Sequence, residues 1–409
     1  MTKKIITFIL TIILCFSVVA CSVQPQNHEP TKPPVQIADD FVSNSEMGFT
    51  EFDGKMISFL EEAYGTEENF LVSPLSLKYA LVLATIGAEA ETQQQLLDVL
   101  GFKTVDECIE WAKGYRAVVD FTNDEGNGKD KTKLQIANSV WHNVDKKGKI
   151  KKDYTEMIKT FGANSYNVSG SKLKPEINEW VSKETNNFIK ELIKSDISNA
   201  NTVLLNTVYL KALWEIQFNE KLTHEDDFKT DAGKVIKKDF MQVQEHFTYY
   251  NDEETEFVVI PLKNDVFCLC VKGDSSNILT KLPNASINNI ELHLPKVEIE
   301  STFDRREFIT FINTEGATLP TDADNADFSN MIDTQIYIDD IIQKTKIKMD
   351  EDGLEASAAT AIIMQDNAVP PLQEEPTVVK FDEHFRFYIY NFNVDGVTPE
   401  LLFYGNYAN

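Results

Sequence analysis

The sequence predicts one large α+β domain with a large mixed central β-sheet, further sheets and amphipathic helices. Three observations lead to this prediction. Residues 202–218 form a long apolar run of strand type, and residues 177–192 place apolar side chains at helical spacing. No second Pro/Gly/Ser-rich linker and no internal repeat divides the rest of the 409-residue chain. We therefore expect one folded unit over residues 46–409.

Residues 1–20 have the form of a bacterial lipoprotein signal peptide. Lys3 and Lys4 precede an apolar stretch, and the sequence Val-Val-Ala then leads to Cys21 as in a lipobox. An uncleaved membrane helix is the alternative, but the apolar stretch is shorter than the roughly 20 residues that a span needs. We expect cleavage before Cys21, lipidation of Cys21 and an extracytoplasmic protein held at the cell surface or the periplasmic side of a bacterial membrane.

The segment that follows is expected to be a tether. Residues 21–45 are polar and Pro-rich and show no apolar period. The chain carries a formal net charge of −26 at pH 7, which disfavours binding to nucleic acid and to anionic lipid. We therefore expect no nucleic-acid partner, and a membrane contact through the lipid on Cys21.

The sequence lacks the common catalytic motifs. It has no G-x-S-x-G elbow, no H-E-x-x-H helix and no Walker loop, and its six histidines are scattered. Cys108, Cys268 and Cys270 remain after processing and form no CxxC pair, while Cys268 and Cys270 share one face of an apolar strand. We expect buried free thiols, no metal site, no cofactor and no enzyme activity.

The first folded element is predicted to be a buried helix that starts at Ser73-Pro74. Proline is favoured in the first turn of a helix, and Gly87 is expected to end it. On this pattern alone, Ser73 is a helix cap and Ser76 an ordinary polar position. The apolar residues at helical spacing are Leu77, Ala80, Leu81 and Ala84.

Five later stretches are predicted from their apolar patterns. Residues 134–141 are expected to form a strand, residues 177–192 an amphipathic helix and residues 202–218 a long strand. Near the end of the chain, residues 385–392 and 400–407 are predicted to be strands around a short turn.

Residues 351–371 have an unusual pattern, EDGLEASAATAIIMQDNAVPP. Alternate side chains give one apolar face, which is typical of a strand, but the Ala-rich run favours a helix. Gly353 permits a pivot on one side, and Pro370 and Pro371 exclude a continuing helix on the other. A short surface helix is therefore the alternative to an exposed loop that can become a strand. The apolar face comprises Leu354, Ala356, Ala358, Thr360, Ile362 and Met364.

Several of these motifs, in this order, resemble the serpin family. The run EDGLEASAAT resembles the serpin hinge, and residues 69–76 resemble the pattern N-x-x-x-SP-x-S. Residues 177–185 resemble I-N-x-W-V-x-x-x-T, residues 204–218 resemble L-x-N-x-x-[YF]-x-K-x-x-W-x-x-x-F, and residues 326–329 read A-D-F-S. The resemblance implies the serpin fold, with about eight to nine helices and an exposed reactive-centre loop, in a monomer without a cofactor.

The resemblance also implies roles for individual residues. Ser73, Ser76 and Asn206 match the shutter beneath the central sheet, and Trp214 matches the breach, where the loop first inserts. Two positions depart from the family pattern. Gln343 stands where many serpins carry a shutter histidine, and Leu354 replaces the usual Thr or Ser as the first inserting residue. The residues matching the hinge are Glu351, Gly353, Leu354, Glu355, Ala356, Ser357, Ala358, Ala359 and Thr360.

The function implied by the resemblance is suicide inhibition of a protease. Family spacing places the reactive bond at Asn367–Ala368, which would suit an asparagine-directed cysteine protease. A slip of one residue would offer Asp366, while Ile363 or Met364 would suit elastase-like or subtilisin-like serine proteases, which pocket chemistry favours. These alternatives stay open. Two rival functions are a non-inhibitory binding lipoprotein of the same fold and a solute-binding lipoprotein, although the latter would show two lobes of alternating strand and helix, which this sequence lacks.

Overall fold

A computed structural model describes most of the chain beyond residue 49. The described residues are 50–65, 67–124, 132–276, 278–303, 306–339, 341–354, 375–391 and 400–409. Two β-sheets and, within these ranges, eight α-helices pack around a large apolar core and a smaller one. The prediction of an α+β fold is confirmed.

The eight helices come mostly from the first half of the chain. They are α1 (Glu51–Tyr64), α2 (Pro74–Gly87), α3 (Ala90–Leu100), α4 (Val105–Asp124), α5 (Lys152–Lys159), α6 (Gly170–Glu184), α7 (Ile278–Lys281) and α8 (Glu307–Thr314). Two short 3₁₀ turns lie at Leu282–Asn284 and Leu319–Thr321.

The larger sheet has nine strands among the described residues. They are β1 (Phe70–Val72), β5 (His224–Lys229), β6 (Val235–Asn251), β7 (Thr255–Leu262), β8 (Val266–Gly273), β9 (Ser286–Pro295), β13 (Thr377–Lys380), β14 (Phe385–Asn391) and β15 (Glu400–Tyr407). Their order is β1-β15-β14-β8-β7-β6-β9-β13, with β5 paired to β6. The predicted strand over residues 385–392 corresponds to β14, and that over 400–407 to β15.

The smaller sheet contains the strands that matter for function. They are β2 (Lys133–Asn143), β3 (Asn164–Val168), β4 (Thr202–Leu213), β10 (Val297–Phe303), β11 (Ile341–Met349) and β12 (Gly353–Leu354). Their order is β10-β11-β12-β4-β2-β3. Even-numbered side chains of β4 face the large core, and Val203 and Leu205 face the smaller core under α6.

Helix α2 is buried along its whole length. The Ser73 side chain caps it by accepting a hydrogen bond from the Ser76 backbone N–H, and Pro74 occupies its first turn, as predicted. Every residue from Pro74 to Gly87 is buried. A helix that is buried on all sides needs packing partners on all sides, and α2 lies against both sheets.

Three element boundaries predicted from the sequence are wrong. The helix predicted to start at residue 177 starts at Gly170. The helix predicted to extend to residue 192 ends at Glu184, because Asn186 and Asn187 adopt positive φ angles of 50° and 65°. The Thr185 hydroxyl closes the helix by donating to the Val181 carbonyl and accepting from the Ile189 N–H. The strand predicted to reach residue 218 ends at Leu213.

The three described cysteines are buried and free, as predicted. The Sγ atoms of Cys268 and Cys270 lie 3.7 Å apart on one face of β8. Burial raises the pKa of the Cys108 thiol to about 12, so this group is not a nucleophile at neutral pH.

A buried charge cluster joins α1, α2, α4 and β15. The Lys78 ammonium lies 3.2 Å from both carboxylate oxygens of Glu400 and 4.7 Å from the centre of a Trp111 ring. The Trp111 indole N–H donates to Glu400 over 2.6 Å. Asp53, also buried, accepts hydrogen bonds from the backbone N–H and the hydroxyl of Thr50. One ammonium therefore faces two carboxylates inside the protein.

Asp53→Asn is expected to stabilise the protein at neutral pH. Burial, with a contribution from Glu400, raises the pKa of Asp53 from 3.8 to about 6, against the opposing charge of Lys78. Because the folded pKa is the higher one, this group favours folding below pH 4, and that contribution is lost as the pH rises through about 6. Asn keeps an acceptor for Thr50 without the charge, so the free energy of unfolding at pH 7.5 should rise by about 1 to 3 kcal/mol.

Urea unfolding of both proteins at pH 4.5 and pH 7.5 measures this effect. The difference between Asp53→Asn and the parent should be larger at pH 7.5 than at pH 4.5. Equal or lower stability of the variant at pH 7.5 would show that the ionised carboxylate is fully compensated by Lys78.

Candidate functional site: the hinge and the opening between strands β4 and β11

The hinge has already entered the six-stranded sheet by its first residues. Leu354 pairs with Met349 of β11 on one side and with Ala212 of β4 on the other, both antiparallel. Its side chain is 1% exposed and lies in the large core. Gly353 has a φ of +155°, and a Cβ atom there would lie 2.2 Å from the Ala212 carbonyl oxygen, so only glycine fits.

An open strand position begins directly after Gly353 and Leu354. Beyond β12, β4 and β11 pair directly, among the described residues, only at Ile341–Leu204 and Ile342–Leu205, where they run parallel. Between these pairs and Leu354 the two strands are not joined to each other. A strand that continued from Leu354 would therefore find a partner on each side.

Trp214 holds the turn that leads into the hinge. Its indole N–H donates to the Asp350 carbonyl over 2.8 Å, and its backbone N–H donates to the Asp352 carbonyl over 3.0 Å. The Phe218 N–H donates to the Glu351 carbonyl, and the two aromatic rings pack edge to face. Trp214, the residue predicted at the breach, thus contacts the turn before the hinge through both its indole and its backbone N–H.

The Glu351 carboxylate fixes the same turn from the other side. It accepts a hydrogen bond of 2.7 Å from the Thr223 hydroxyl and pairs with the Lys296 ammonium at 2.8 Å. Burial raises the pKa of Glu351, but the hydrogen bonds from Lys296 and Thr223 outweigh burial and hold the pKa below its usual value. Sequence reasoning missed both Thr223 and the pairing of Lys296 with Glu351.

The predicted shutter residues come together beneath the open strand position. Gln343 accepts from the Ser73 backbone N–H and donates to the Ser73 carbonyl, each over 2.9 Å. The Ser76 hydroxyl donates to Asn206, which donates to Asn138. Asn138, on β2, belongs to this network but was not predicted. With Gln343 in place of an imidazole, this network has no group that titrates near neutral pH.

The rest of the predicted site lies outside the described residues. This applies to hinge residues Glu355, Ala356, Ser357, Ala358, Ala359 and Thr360, to the candidate reactive-bond residues Ile363, Met364, Asp366, Asn367 and Ala368, and to Cys21. Within the described ranges, no three His, Cys, Asp or Glu side chains converge as metal ligands, and no helix is long and apolar enough to cross a membrane.

Comparison with known proteins identifies the architecture. Residues 48–409 match the family described as serpin (serine protease inhibitor). The chain belongs to the serpin family. A serpin-like protein of Thermococcus kodakarensis is 27% identical over 98% of both chains, and the plasma serine protease inhibitor of Bos taurus is 26% identical over 73% of this chain and 76% of its own.

Solved serpin structures share this fold. Serpin48 of the insect Tenebrio molitor is 25% identical and superposes with a TM-score of 0.72 over 91% of this chain and 98% of its own. The thermophilic serpin tengpin, in its native state, is 24% identical, with a TM-score of 0.74 over 90% of this chain and 94% of its own. The family and fold predicted from the sequence are confirmed.

Proposed function

We propose that this serpin inhibits a serine protease of the elastase-like or subtilisin-like type by acting as its suicide substrate. The observation that carries the proposal is the position of Leu354 between β4 and β11, at the start of an open strand position. A loop that is cleaved beyond this point has a partly formed strand from which to continue. The serpin is the substrate in this reaction, and the protease supplies the catalysis.

The register set by Leu354 predicts where each loop residue would lie after insertion. The ladder is antiparallel to both neighbours, so each residue further along the loop moves one residue back along β4 and β11. On the inner face, Ala356 would meet Leu210 and Ile347, Ala358 would meet Val208 and Thr345, Thr360 would meet Asn206 and Gln343, and Ile362 would meet Leu204 and Ile341.

In this register, the loop side chains would match the polarity of the side chains that they meet. Small apolar residues would meet the buried side chains of β4 and β11, and the polar Thr360 would meet the polar shutter. On the outer face, Glu355 would lie between Lys211 and Lys348, where opposite charges attract across the ladder. A shift by one residue would turn the apolar face of the loop outward, so the sequence supports this register.

The proposed mechanism uses insertion to stop the protease before it finishes. The catalytic serine attacks the carbonyl of the reactive bond, the bond breaks, the new amino terminus leaves, and an acyl ester joins the loop to the enzyme. The freed strand then inserts at about 3.3 Å per residue, which carries the protease tens of ångströms. Roughly a dozen new backbone pairs at about 0.5 to 1.5 kcal/mol each supply on the order of 10 kcal/mol.

A cysteine protease is the alternative target. If Asn367 is the residue recognised, an asparagine-directed cysteine protease would form a thioester in place of the ester. We also propose that the protein acts outside the cytoplasmic membrane, anchored by lipid at Cys21 through the tether of residues 21–45. Labelling of Cys21 with a radioactive fatty acid, and its loss in Cys21→Ala, would test the anchor.

Covalent complex formation tests the proposed function. The full chain is incubated with an elastase-like and a subtilisin-like serine protease and with an asparagine-directed cysteine protease. We expect a complex with at least one serine protease that survives boiling in SDS, and none with the same protease blocked at its active-site serine. The mass of the released C-terminal fragment identifies the reactive bond.

Nicked protein should also be more stable than intact protein. A gain on the order of 10 kcal/mol corresponds to a rise in melting temperature of about 10 to 15 °C. If every protease cleaves the loop without a complex, and nicking leaves the melting temperature unchanged, the protein is a non-inhibitory member of the family.

A further inference from the structure

The lysines of this acidic protein are concentrated at one end of the six-stranded sheet. Residues 145–174 contain eight lysines and three acidic residues, which gives them a net charge of +5, whereas the whole chain carries −26. They comprise the loop after β2, α5, β3 and the first turn of α6. The rest of the chain therefore carries −31, and the acidic character that disfavours anionic lipid belongs to that part of the protein.

The fold brings the lysines of this stretch to one surface. The Gly170 N–H donates to the Asp145 carboxylate over 2.9 Å, and the Ile150 N–H donates to the Asn167 side chain over 3.1 Å. The loop between β2 and α5 therefore lies against the start of α6. We define the basic patch as Lys146, Lys147, Lys149, Lys151, Lys152 and Lys172.

The loop that carries most of the basic patch is fixed by contacts with residues 331–334. The Lys151 N–H donates to the Met331 carbonyl, and the Thr334 hydroxyl donates to the Lys147 carbonyl, each over 2.9 Å. Gly148 has a φ of +92°, and a Cβ atom there would lie 2.6 Å from the Thr334 Oγ1 atom. The backbone beneath the lysines is thus preformed, which lowers the entropy lost on binding.

Half of the basic patch is not neutralised. Among the described residues, Lys146, Lys147 and Lys149 form no ion pair, and the last two are exposed. Helices α5 and α6 both begin at this end, so the positive ends of their dipoles add to the field of the lysines. The neutralised lysines form the pairs Lys151–Asp333, Lys152–Glu156 and Lys172–Glu176.

Two apolar side chains are exposed beside these lysines. Val144, at the start of the loop, is 39% exposed, and Met157, on α5, is 38% exposed. They are two of only five large apolar side chains that are exposed in the described part of the chain. A lipid interface accepts both features, because its phosphates attract lysine and its headgroup region accepts apolar side chains. A soluble polyanion would leave Val144 and Met157 in water.

We propose that the basic patch binds the surface of a bilayer that contains anionic phospholipid and orients the serpin on it. The loop of the patch follows β2 directly, where His142 pairs with Thr202 of β4, whereas Leu354 of the hinge pairs with Ala212. The ten residues of β4 between these positions span about 33 Å. A bilayer held by the patch therefore leaves the hinge end of the protein open to a protease.

The proposed lipid anchor keeps such a bilayer within reach. The 29 residues from Cys21 to Thr50 span at most about 100 Å, so an anchored domain cannot leave the membrane surface by more than that distance. Confinement of this kind raises the effective concentration of the surface, and a weak patch is then sufficient to set the orientation.

Vesicle binding by the full chain tests the inference. Vesicles of phosphatidylcholine with about 30% phosphatidylglycerol are compared with vesicles of phosphatidylcholine alone. The ratio of the two partition coefficients isolates the effect of anionic lipid, since the apolar residues 5–19 would bind both kinds of vesicle. For the parent we expect a ratio above about ten, which about 0.5 M NaCl should remove. The ratio should fall to near one in the triple variant Lys146→Gln, Lys147→Gln, Lys149→Gln.

A matched control changes the net charge equally. Lys103, Lys221 and Lys234 are exposed, lie outside the basic patch and form no ion pair among the described residues. Their triple change to Gln should keep the ratio of the parent. Protease-complex formation should be the same in the parent and in both triple variants, because none of these lysines belongs to the hinge or the shutter.

A second double variant separates lipid from other anions. Val144→Ser combined with Met157→Ser should weaken binding to the anionic vesicles and leave binding to inorganic polyphosphate unchanged. If the parent binds polyphosphate but shows no preference for the anionic vesicles, the patch holds a soluble polyanion and this inference is wrong.

Lysine acetylation with acetic anhydride, followed by mass spectrometry, locates the contact. Anionic vesicles should protect Lys146, Lys147 and Lys149 in the parent and leave Lys103 reactive. Equal vesicle ratios for the two triple variants, or equal protection of all four lysines, would place the contact elsewhere and overturn the inference. The proposed inhibition would stand in each case, because covalent complex formation tests it separately.

Discussion

Ala358→Arg is expected to convert the protein from an inhibitor into a substrate. In the inserted register, residue 358 faces inward between Val208 and Thr345, both of which are buried. An arginine there would place an unpaired guanidinium in the core, which costs several kcal/mol. Insertion should slow while the protease still cleaves the loop, so hydrolysis of the acyl ester should win.

The number of serpin molecules consumed per protease inactivated measures this result. Each 1.4 kcal/mol added to the insertion barrier multiplies the ratio of hydrolysis to insertion by ten, so several kcal/mol multiply it by about 100-fold or more. We therefore expect the number consumed to rise by at least about tenfold. On an SDS gel, cleaved serpin should replace the complex. Gln373→Arg adds the same charge beyond the reactive bond and should leave the ratio near that of the parent. An unchanged complex yield for Ala358→Arg would refute the register.

Glu351→Lys is expected to destabilise the intact protein strongly. The Glu351 carboxylate now accepts from Thr223 and pairs with Lys296 at 2.8 Å in a largely buried turn. Lysine would set two ammonium groups against each other there and leave Thr223 without its acceptor. The carboxylate is buried but the Lys296 side chain is 39% exposed, so solvent screens part of the charge interaction. The change should cost about 2 to 4 kcal/mol, which corresponds to a melting temperature lower by about 3 to 5 °C.

Two further variants separate charge from packing. Glu351→Gln keeps an acceptor for Thr223 and should lose only part of this stability, whereas Glu351→Lys combined with Lys296→Glu restores the pair with reversed charges. Thermal unfolding of the three variants at pH 7.5 should therefore rank Glu351→Lys lowest. The prediction fails if the double variant is no more stable than Glu351→Lys alone.

Local signals in the sequence predicted the elements that depend on local chemistry. The pair Ser73-Pro74 predicted the start of α2, because capping and a proline in the first turn act within one turn of helix. Side-chain alternation from Leu354 indicated a loop that can become a strand, with a short surface helix as the alternative, and of this stretch the structure describes only the strand Gly353–Leu354. The sequence could not show that this strand is already paired on both sides, because that depends on the spacing of β4 and β11 in the folded protein.

Contacts between distant parts of the chain were not predictable from pattern. Glu351 meets Thr223, 128 residues away, and Lys78 meets Glu400, 322 residues away. Nothing in either neighbourhood identifies the partner, since a lysine or a glutamate on a surface has the same local sequence signature. The end of α6 was missed for another reason: asparagine tolerates both helical and left-handed backbone, and the fold decides which is adopted.

The short strand Gly353–Leu354 has a consequence for the rate at which the rest of the loop would insert. Forming the first pair is the hardest step in adding a strand to a sheet, and here Leu354 is already paired on both sides. In the proposed mechanism, the competition between insertion and hydrolysis would then depend on how fast the following residues pair, because the first pair already exists. The loop of the intact protein must therefore be kept from inserting early at the other end of the open strand position, where Ile341 and Ile342 still pair with Leu204 and Leu205.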